Sequence, residues 1–286
     1  MIDFLKYTRW YAMISTAIIV VGLLSVVING FNFSIDFTGG SIIEYKTDKI
    51  VSQNQITAIV QKEKIKTKQS SVNNKDIQLR TEALNEKKEN NLRNSLEKQL
   101  KIKIQLQRFE TVGPTIGVET IRKTTIAALV AVTGILLYMT FAFKKMNYGL
   151  AAVLAMIHDL LVLVGIYSLL SKFFGAQIDT LFVTAFLTTL SFSVHDTIIV
   201  FDKIREYKRT TTLPFYILAN KSLTETMVRS INNSLTIILM LIPLTLFGGE
   251  TIKFFAAALL VGAVSGVYSS PFIATPLLVF FETRKK

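Results

Sequence analysis

Apolar residues in this chain are clumped rather than spread at an amphipathic period. Five long runs stand out, at about 11–29, 124–143, 150–171, 180–201 and 254–281. A sixth, about 230–247, is weaker because it opens with Asn232 and Asn233. A mostly apolar run of roughly 18 residues or more can cross a hydrocarbon core of about 30 Å. The pattern therefore predicts an integral membrane protein with six spanning helices.

Between the first two runs the pattern changes. Residues 30–122 are rich in Lys, Glu, Asn and Gln, yet their apolar positions are periodic. In FNFSIDF, Phe31, Phe33, Ile35 and Phe37 alternate, which predicts a strand that continues as IIEYK after two glycines. SQNQITAIVQKEKIK reads as an amphipathic helix through Ile56, Ile59, Val60 and Glu63, and DIQLRT as a short strand. LNEKKENNLRNSLEKQL predicts a second helix along Leu84, Leu92, Leu96 and Leu100, and IKIQLQRFETV a last strand with Ile102, Ile104, Leu106 and Phe109 inward. The order β-α-β-α-β predicts a small α+β, ferredoxin-like domain. VGPTIG, residues 112–117, is a turn-rich joint to the second spanning helix.

The fold class is thus a polytopic α-helical membrane protein: six transmembrane helices and one extracytoplasmic α+β domain between the first two. The expected parts are an anchor at 1–29, the domain at 30–122, a five-helix bundle at 123–281 and a basic tail at 282–286. Residues 203–229 are expected to form a loop, with a helix lying along the membrane surface.

Charge adds topology. The net charge is +12. Cations gather at Lys6 and Arg9, at Lys144 and Lys145, through 203–229, and at Arg284, Lys285 and Lys286, whereas the alternate short loops hold only Lys172 and Lys253. Positive-inside bias places both termini in the cytoplasm. The cations are read as topology signals and contacts to the lipid bilayer, not as a nucleic-acid surface. The absence of cysteine removes disulfides, thiolate nucleophiles and thiolate metal sites.

Ionisable residues inside spanning helices are rare and usually functional. His158 and Asp159 lie in the third run, His195 and Asp196 in the fourth, and Arg229 at the mouth of the fifth. Asp159 is roughly 16 Å and Asp196 roughly 8–12 Å from the cytoplasmic edge by helical rise. These helices can therefore bring two carboxylates and a guanidinium into one layer. In the fourth helix Ala185, Thr189, Ser193 and Asp196 form one small, polar stripe, and His195 is turned about 100° from Asp196. Arg229, Asn232, Asn233 and Thr236 share a face of the fifth, and Ala258, Gly262, Gly266 and Ser270 form a small-residue stripe on the sixth. Two roles fit Asp196 equally: a proton site, or a structural clamp that never titrates. For His158 and His195 a hydrogen-bonded helix contact is the simpler role. Pro243, Pro271 and Pro276 suggest kinks. No GxxxxGK[ST], HExxH or GxSxG occurs, so an ion gradient is the energy source expected, and no enzyme activity.

Six motifs then occur in one order: IDFTGG, VGPTIG, HD, SFSVHDTIIVFDKIRE, RSINNSLT followed by FGG, and SSPFIATP. On these the chain resembles the SecD/SecF family of protein-export membrane proteins over nearly its whole length, least at about 45–105. The resemblance implies a SecF-like half that pairs with SecD beside the SecYEG channel. The accessory proteins YajC and YidC are further candidate partners, and a translocating unfolded polypeptide is the client. It implies use of the proton gradient without a bound cofactor or metal, with Na+ as the alternative coupling ion. The family's proton-linked carboxylate falls on Asp196 and its helix-five arginine on Arg229; Thr189, Ser193, His195, His158 and Asp159 join them as candidate proton-pathway residues. Asp36, Phe37, Thr38, Gly39, Gly40, Gly113, Pro114 and Thr197 are the matching motif positions. His195 stands where family patterns often have Asn, and Lys203 where they have Arg. A proton-coupled small-molecule transporter and a membrane scaffold are the competing readings.

Overall fold

The computed structural model describes residues 3–284. The chain divides into two units, residues up to Asn32 together with Ile126 onward, and Phe33–Thr125.

The helical unit contains six helices long and apolar enough to cross a membrane, among the described residues. The spanning helices are α1 (Thr8–Asn29), α5 (Pro114–Phe143), α6 (Met146–Phe174), α7 (Thr180–Thr210), α8 (Phe215–Phe247) and a composite of α9 (Glu250–Ser269), a π-turn (Ser270–Ala274) and α10 (Thr275–Thr283). A proline removes one backbone donor, and Pro271 falls inside the widened turn. The expected kink at Pro271 is therefore a π-turn.

The expected loop at 203–229 is absent. Helix α7 continues through DKIREYKRT to Thr210, and α8 starts at Phe215 behind Pro214, so only residues 211–214 connect them. Charged residues ended the apolar run but did not end the helix: Lys203 pairs with Glu206 one turn on at 3.0 Å. The end of the bundle carrying the chain termini is tied by polar contacts. Glu282 accepts from Lys145 and Lys208 at 2.8 Å and from Asn147 at 2.9 Å. Asn220 accepts from the Leu5 amide and donates to Asp3.

Helix α9 is the centre of the bundle, packing against α6, α7 and α8. Helices α1 and α6 meet through glycine: a Cβ at Gly22 would lie 2.7 Å from Gly165 Cα, so neither position accepts a side chain without displacement. One turn further Ser25 and Ser168 share a hydrogen bond of 3.0 Å.

The second unit is a four-stranded antiparallel sheet, β2-β3-β1-β4, carrying two helices. In sequence these are the four-residue turn α2 (Ile35–Thr38), β1 (Gly40–Thr47), α3 (Gln53–Lys62), β2 (Thr67–Asn73), β3 (Asp76–Thr81), α4 (Glu86–Leu100) and β4 (Ile104–Val112). The order from β1 is β-α-β-β-α-β, the ferredoxin-like arrangement. Two expectations need correction. FNFSIDF is not a strand: Ser34 accepts from the Asp36 amide and opens the helical turn Ile35–Thr38, burying Ile35 and Phe37 while Phe33 stays exposed. Strand β2, TKQSSVN, escaped prediction because it is an edge strand with no apolar alternation to report burial. Its hairpin to β3 turns at Asn74, whose φ of 54° suits asparagine.

The core of this unit holds Ile43, Tyr45, Ile56, Val60, Leu79, Leu92 and Leu96. It also buries a carboxylate, Glu89, which accepts the Tyr45 hydroxyl at 3.0 Å and lies 3.6 Å from Arg93. Burial, reinforced by the neighbouring Glu89, pushes the Tyr45 phenol far up, so it remains the donor of that bond.

Candidate functional site

The fourth-helix stripe is buried against the sixth helix. Thr189, Ser193, Asp196 and Thr197 are all buried. Facing them, Gly262 has no room for a Cβ because Thr189 fills that space, and Gly266 brings the Ser193 backbone within 3.3 Å of where a Cβ would stand. Thr197 donates to the Ser193 carbonyl and shares a bond of 2.9 Å with Ser270 at the π-turn. The small residues of α9 therefore let two backbones approach closely, as such stripes do in membranes.

Asp196 lies at the margin of this contact and is 3% exposed. Its Oδ2 accepts from Ser234 of α8 at 3.3 Å, and its Oδ1 has no hydrogen-bond partner. A cleft of about 20 Å³, large enough for one water molecule, is lined by Asp196, His195, Asn233, Ser234, Phe192 and Val267. His195 itself is exposed, so the 100° offset between the adjacent residues holds. Ser191, Arg229, Asn232, Asn233 and Thr236 are exposed too.

Arg229 does not meet Asp196. It is exposed and lines a cleft of about 600 Å³ at the terminal end of the bundle, with Asp202, Glu206, Glu225, Tyr138 and Phe143. The expected facing of Asp196 by Arg229 is thus absent within this chain, because Arg229 lies five residues before Ser234, the residue Asp196 does meet, and so about 140° around α8 from it.

Asp159 occupies a different site. It is fully buried, with Oδ1 accepting from Ser265 and Oδ2 from Ser269, both at 2.6 Å. The Nδ1 of His158 lies 3.0 Å from Oδ1. Ser265 and Ser269 stand one turn apart on α9, about 200° around the helix from Ala263 and Val267, which line the Asp196 cleft. The expected carboxylate pair is therefore not formed; α9 separates the two acids. The serines that hold Asp159 and Asp196 were missed from sequence. Their signal was present for α9, where Ser265 and Ser269 repeat at four residues beside the small stripe.

The DFTGG segment closes the first turn of the α+β unit. Gly39 and Gly40 have φ of 62° and 128°, and a Cβ at Gly40 would meet the Thr81 carbonyl at 2.5 Å. A Cβ at Gly39 would lie 2.8 Å from Pro114 Cα, and one at Gly117 would lie 2.6 Å from the Phe37 carbonyl. Gly113 ends β4, and Pro114 begins α5, a first-turn position suited to proline. The motif positions Phe37, Gly39, Gly113 and Pro114 thus meet in one close-packed joint with Gly117, and VGPTIG is half helix rather than a free turn. Lys68 donates to the Gly39 carbonyl at 2.9 Å.

Comparison with known proteins bears on these motifs. The family model for protein export membrane protein SecD/SecF, C-terminal, matches residues 92–284, and that for the SecD/SecF GG motif matches residues 24–49. The chain belongs to the SecD/SecF family. Protein translocase subunit SecF of Thermobaculum terrenum is 40% identical over 99% of this chain and 95% of its own length. That of Anaerolinea thermophila is 36% identical, with the same coverage. Protein translocase subunit SecDF of Thermus thermophilus is 32% identical over 90% of this chain but only 35% of its own length. The crystal structure of SecDF from that organism superposes with a TM-score of 0.83 at 30% identity, covering 99% of this chain and 39% of that one. A SecDF structure in the super-membrane-facing form gives 0.71 at the same identity and coverage. This SecD/SecF-family chain therefore spans nearly the whole of the SecF relatives and about two-fifths of SecDF.

Proposed function

We propose that this chain is an accessory subunit of the Sec translocase that uses a transmembrane proton gradient to drive late steps of polypeptide export, with Asp196 as the site that binds and releases the proton. The observation that carries the reading is the half-satisfied state of Asp196: one oxygen on a long serine bond, the other without a partner at the cleft.

Membrane interiors penalise an isolated charge, so buried ions are paired. Among the described residues no Lys or Arg lines the Asp196 cleft. Two things balance that carboxylate: a proton, or a cation brought from outside the chain. Alternation between them is a proton cycle, and the cleft gives the proton a way in. Thr189, Ser193 and Thr197 fix α7 against α9, so a change at Asp196 is transmitted to the π-turn through Thr197 and Ser270.

The outer faces of α7 and α8 support a membrane partner. Ser191, His195, Arg229, Asn232, Asn233 and Thr236 are exposed on helices that span the bilayer, and polar faces of spanning helices do not turn to lipid. The part of SecDF that this chain does not cover, a SecD half, is the partner proposed for that face. The complex stands beside the SecYEG channel, with YajC and YidC as further associates, and acts on unfolded polypeptide. The cationic segments support a reading in which both termini are cytoplasmic and the α+β unit is extracytoplasmic, in the cytoplasmic membrane. The coupling ion is H+, with Na+ as the variant to be tested; no other cofactor or enzymatic step is required.

The test is late export in inverted membrane vesicles containing the assembled complex. Asp196→Asn is expected to lose the gradient-stimulated component almost entirely, leaving complex assembly unchanged. Full stimulation in that variant contradicts the proposal.

A further inference from the structure

A second polar site in the bundle has no part in the Asp196 cycle described above. His158 is 8% exposed, and its Nε2 is buried without a hydrogen-bond partner. Its Nδ1 faces Asp159 Oδ1 at 3.0 Å, while the Asp159 oxygens also accept from Ser265 and Ser269 at 2.6 Å.

Hydrogen-bond chemistry orders these groups. An ionised carboxylate is acceptor-only, and each serine hydroxyl has one proton to give. Ser265 and Ser269 direct theirs at the two Asp159 oxygens, an arrangement that suits the acceptor-only form. The imidazole then presents an N–H from Nδ1 to Oδ1, and Nε2 keeps its lone pair. This is the arrangement in which a buried carboxylate fixes the tautomer of a histidine that accepts a proton at the other nitrogen.

The surroundings of Nε2 are specific. The paired contacts Gly22–Gly165 and Ser25–Ser168 run in parallel along α1 and α6. Two turns earlier the same offset brings Ser15 level with His158. Ser15 is buried and donates to the Tyr268 hydroxyl at 3.2 Å; Tyr268 in turn donates to the Tyr11 carbonyl at 3.0 Å. The Tyr268 ring lies along the His158 ring at 6.2 Å, and Phe272 closes the far side against Tyr11. The titratable groups on the packed elements are therefore Tyr11 on α1 and Tyr268 on α9. Arg9, at the start of α1, is exposed, and on α7 Asp196 lies across α9 while His195 is exposed.

We propose that His158 is a second proton-binding site of the bundle, with Asp159, Ser265 and Ser269 as the positioning residues that leave its Nε2 free to accept. The bond formed is Nε2–H. The imidazolium charge is balanced by Asp159, so the dyad passes from one net negative charge to none. Release returns the proton from the same nitrogen, and no other bond changes. The hydroxyls of Ser15 and Tyr268 lead from this layer along α1 toward the end where the chain begins. A role for this proton in gradient use rests on the export function proposed above, whereas the protonation chemistry does not.

The chain has two histidines, so His195→Gln leaves His158 as the sole imidazole for nitrogen NMR. The full-length variant, reconstituted in lipid bilayers with 15N-labelled histidine, is titrated across about pH 5–8, the range in which histidine changes charge. The expected result is an Nδ1–H neutral tautomer that converts to imidazolium, with the tautomer lost or mixed in His195→Gln/Asp159→Asn. An Nε2–H tautomer, or an imidazole that keeps one state throughout, overturns the proposal. In vesicles, His158→Gln is expected to lower gradient-stimulated export about tenfold with the complex assembled; unchanged export overturns the gradient role. If Asp196→Asn exports normally while the His158 titration appears as expected, the export reading fails and the proton site stands.

Discussion

Asp159 and Asp196 are the same residue, each behind a histidine, each buried in a spanning helix, and their environments differ. Asp159 has both oxygens occupied by short bonds from one neighbouring helix, and its histidine turns back to it. Asp196 has one long bond and one free oxygen, and its histidine points out of the bundle. A carboxylate with both oxygens held by short bonds is costly to disturb, whereas one left half-satisfied is poised to change. The dipeptide thus does not assign a role. The neighbouring helix does, by offering serines at one site and alanine, valine and a cleft at the other.

The contrast can be broken at either acid or at the groups that hold it. Asp159→Ala strands two serine hydroxyls and an imidazole, and should cost about 2–4 kcal/mol, seen as a clear drop in the unfolding midpoint of the detergent-solubilised complex. Asp196→Ala should move that midpoint by less than about 1 kcal/mol; equal losses would erase the distinction. Gly262→Ala forces a methyl into the space held by Thr189. It should cost about 1–3 kcal/mol by overpacking, and it should weaken export with assembly retained. Ser265→Ala and Ser269→Ala should each cost about 0.6–1.7 kcal/mol, between the average and the largest values for single interhelical hydrogen bonds in membranes. Ser234→Ala, which removes only the 3.3 Å bond to Asp196, should cost the least, below about 0.6 kcal/mol. A Ser234 effect as large as that of Ser269 would place the two acids in one class.

Much of this architecture is legible in the sequence because membrane burial is written in uninterrupted apolar runs. The six spans, the helices at Ile56 and Leu92, and the small stripe Gly262–Gly266–Ser270 all follow from it. The failures share a physical cause. Edge strand β2 buries little, so its residues carry no alternation. The Ile35–Thr38 turn hides behind an alternating pattern because Ser34 caps a helical turn there. Helix α7 runs on past its apolar stretch and α8 starts well ahead of its own, since a charged helix remains a helix outside the bilayer. The site was legible in its expensive residues, Asp159 and Asp196, and in the separation of His195 from Asp196. It was not legible in its partners: Ser234, Ser265 and Ser269 are defined only by which helix faces which, and the absence of Arg229 beside Asp196 turns on which face of α8 meets α7.

Infrared difference spectroscopy on the reconstituted complex, with the proton gradient imposed and then collapsed, tests the central claim that Asp196 alone among the bundle's acids changes protonation state. The account predicts a protonated-carboxyl band that responds to the gradient, disappears in Asp196→Asn and persists in Asp159→Asn. A band that survives Asp196→Asn and vanishes with Asp159→Asn would contradict it.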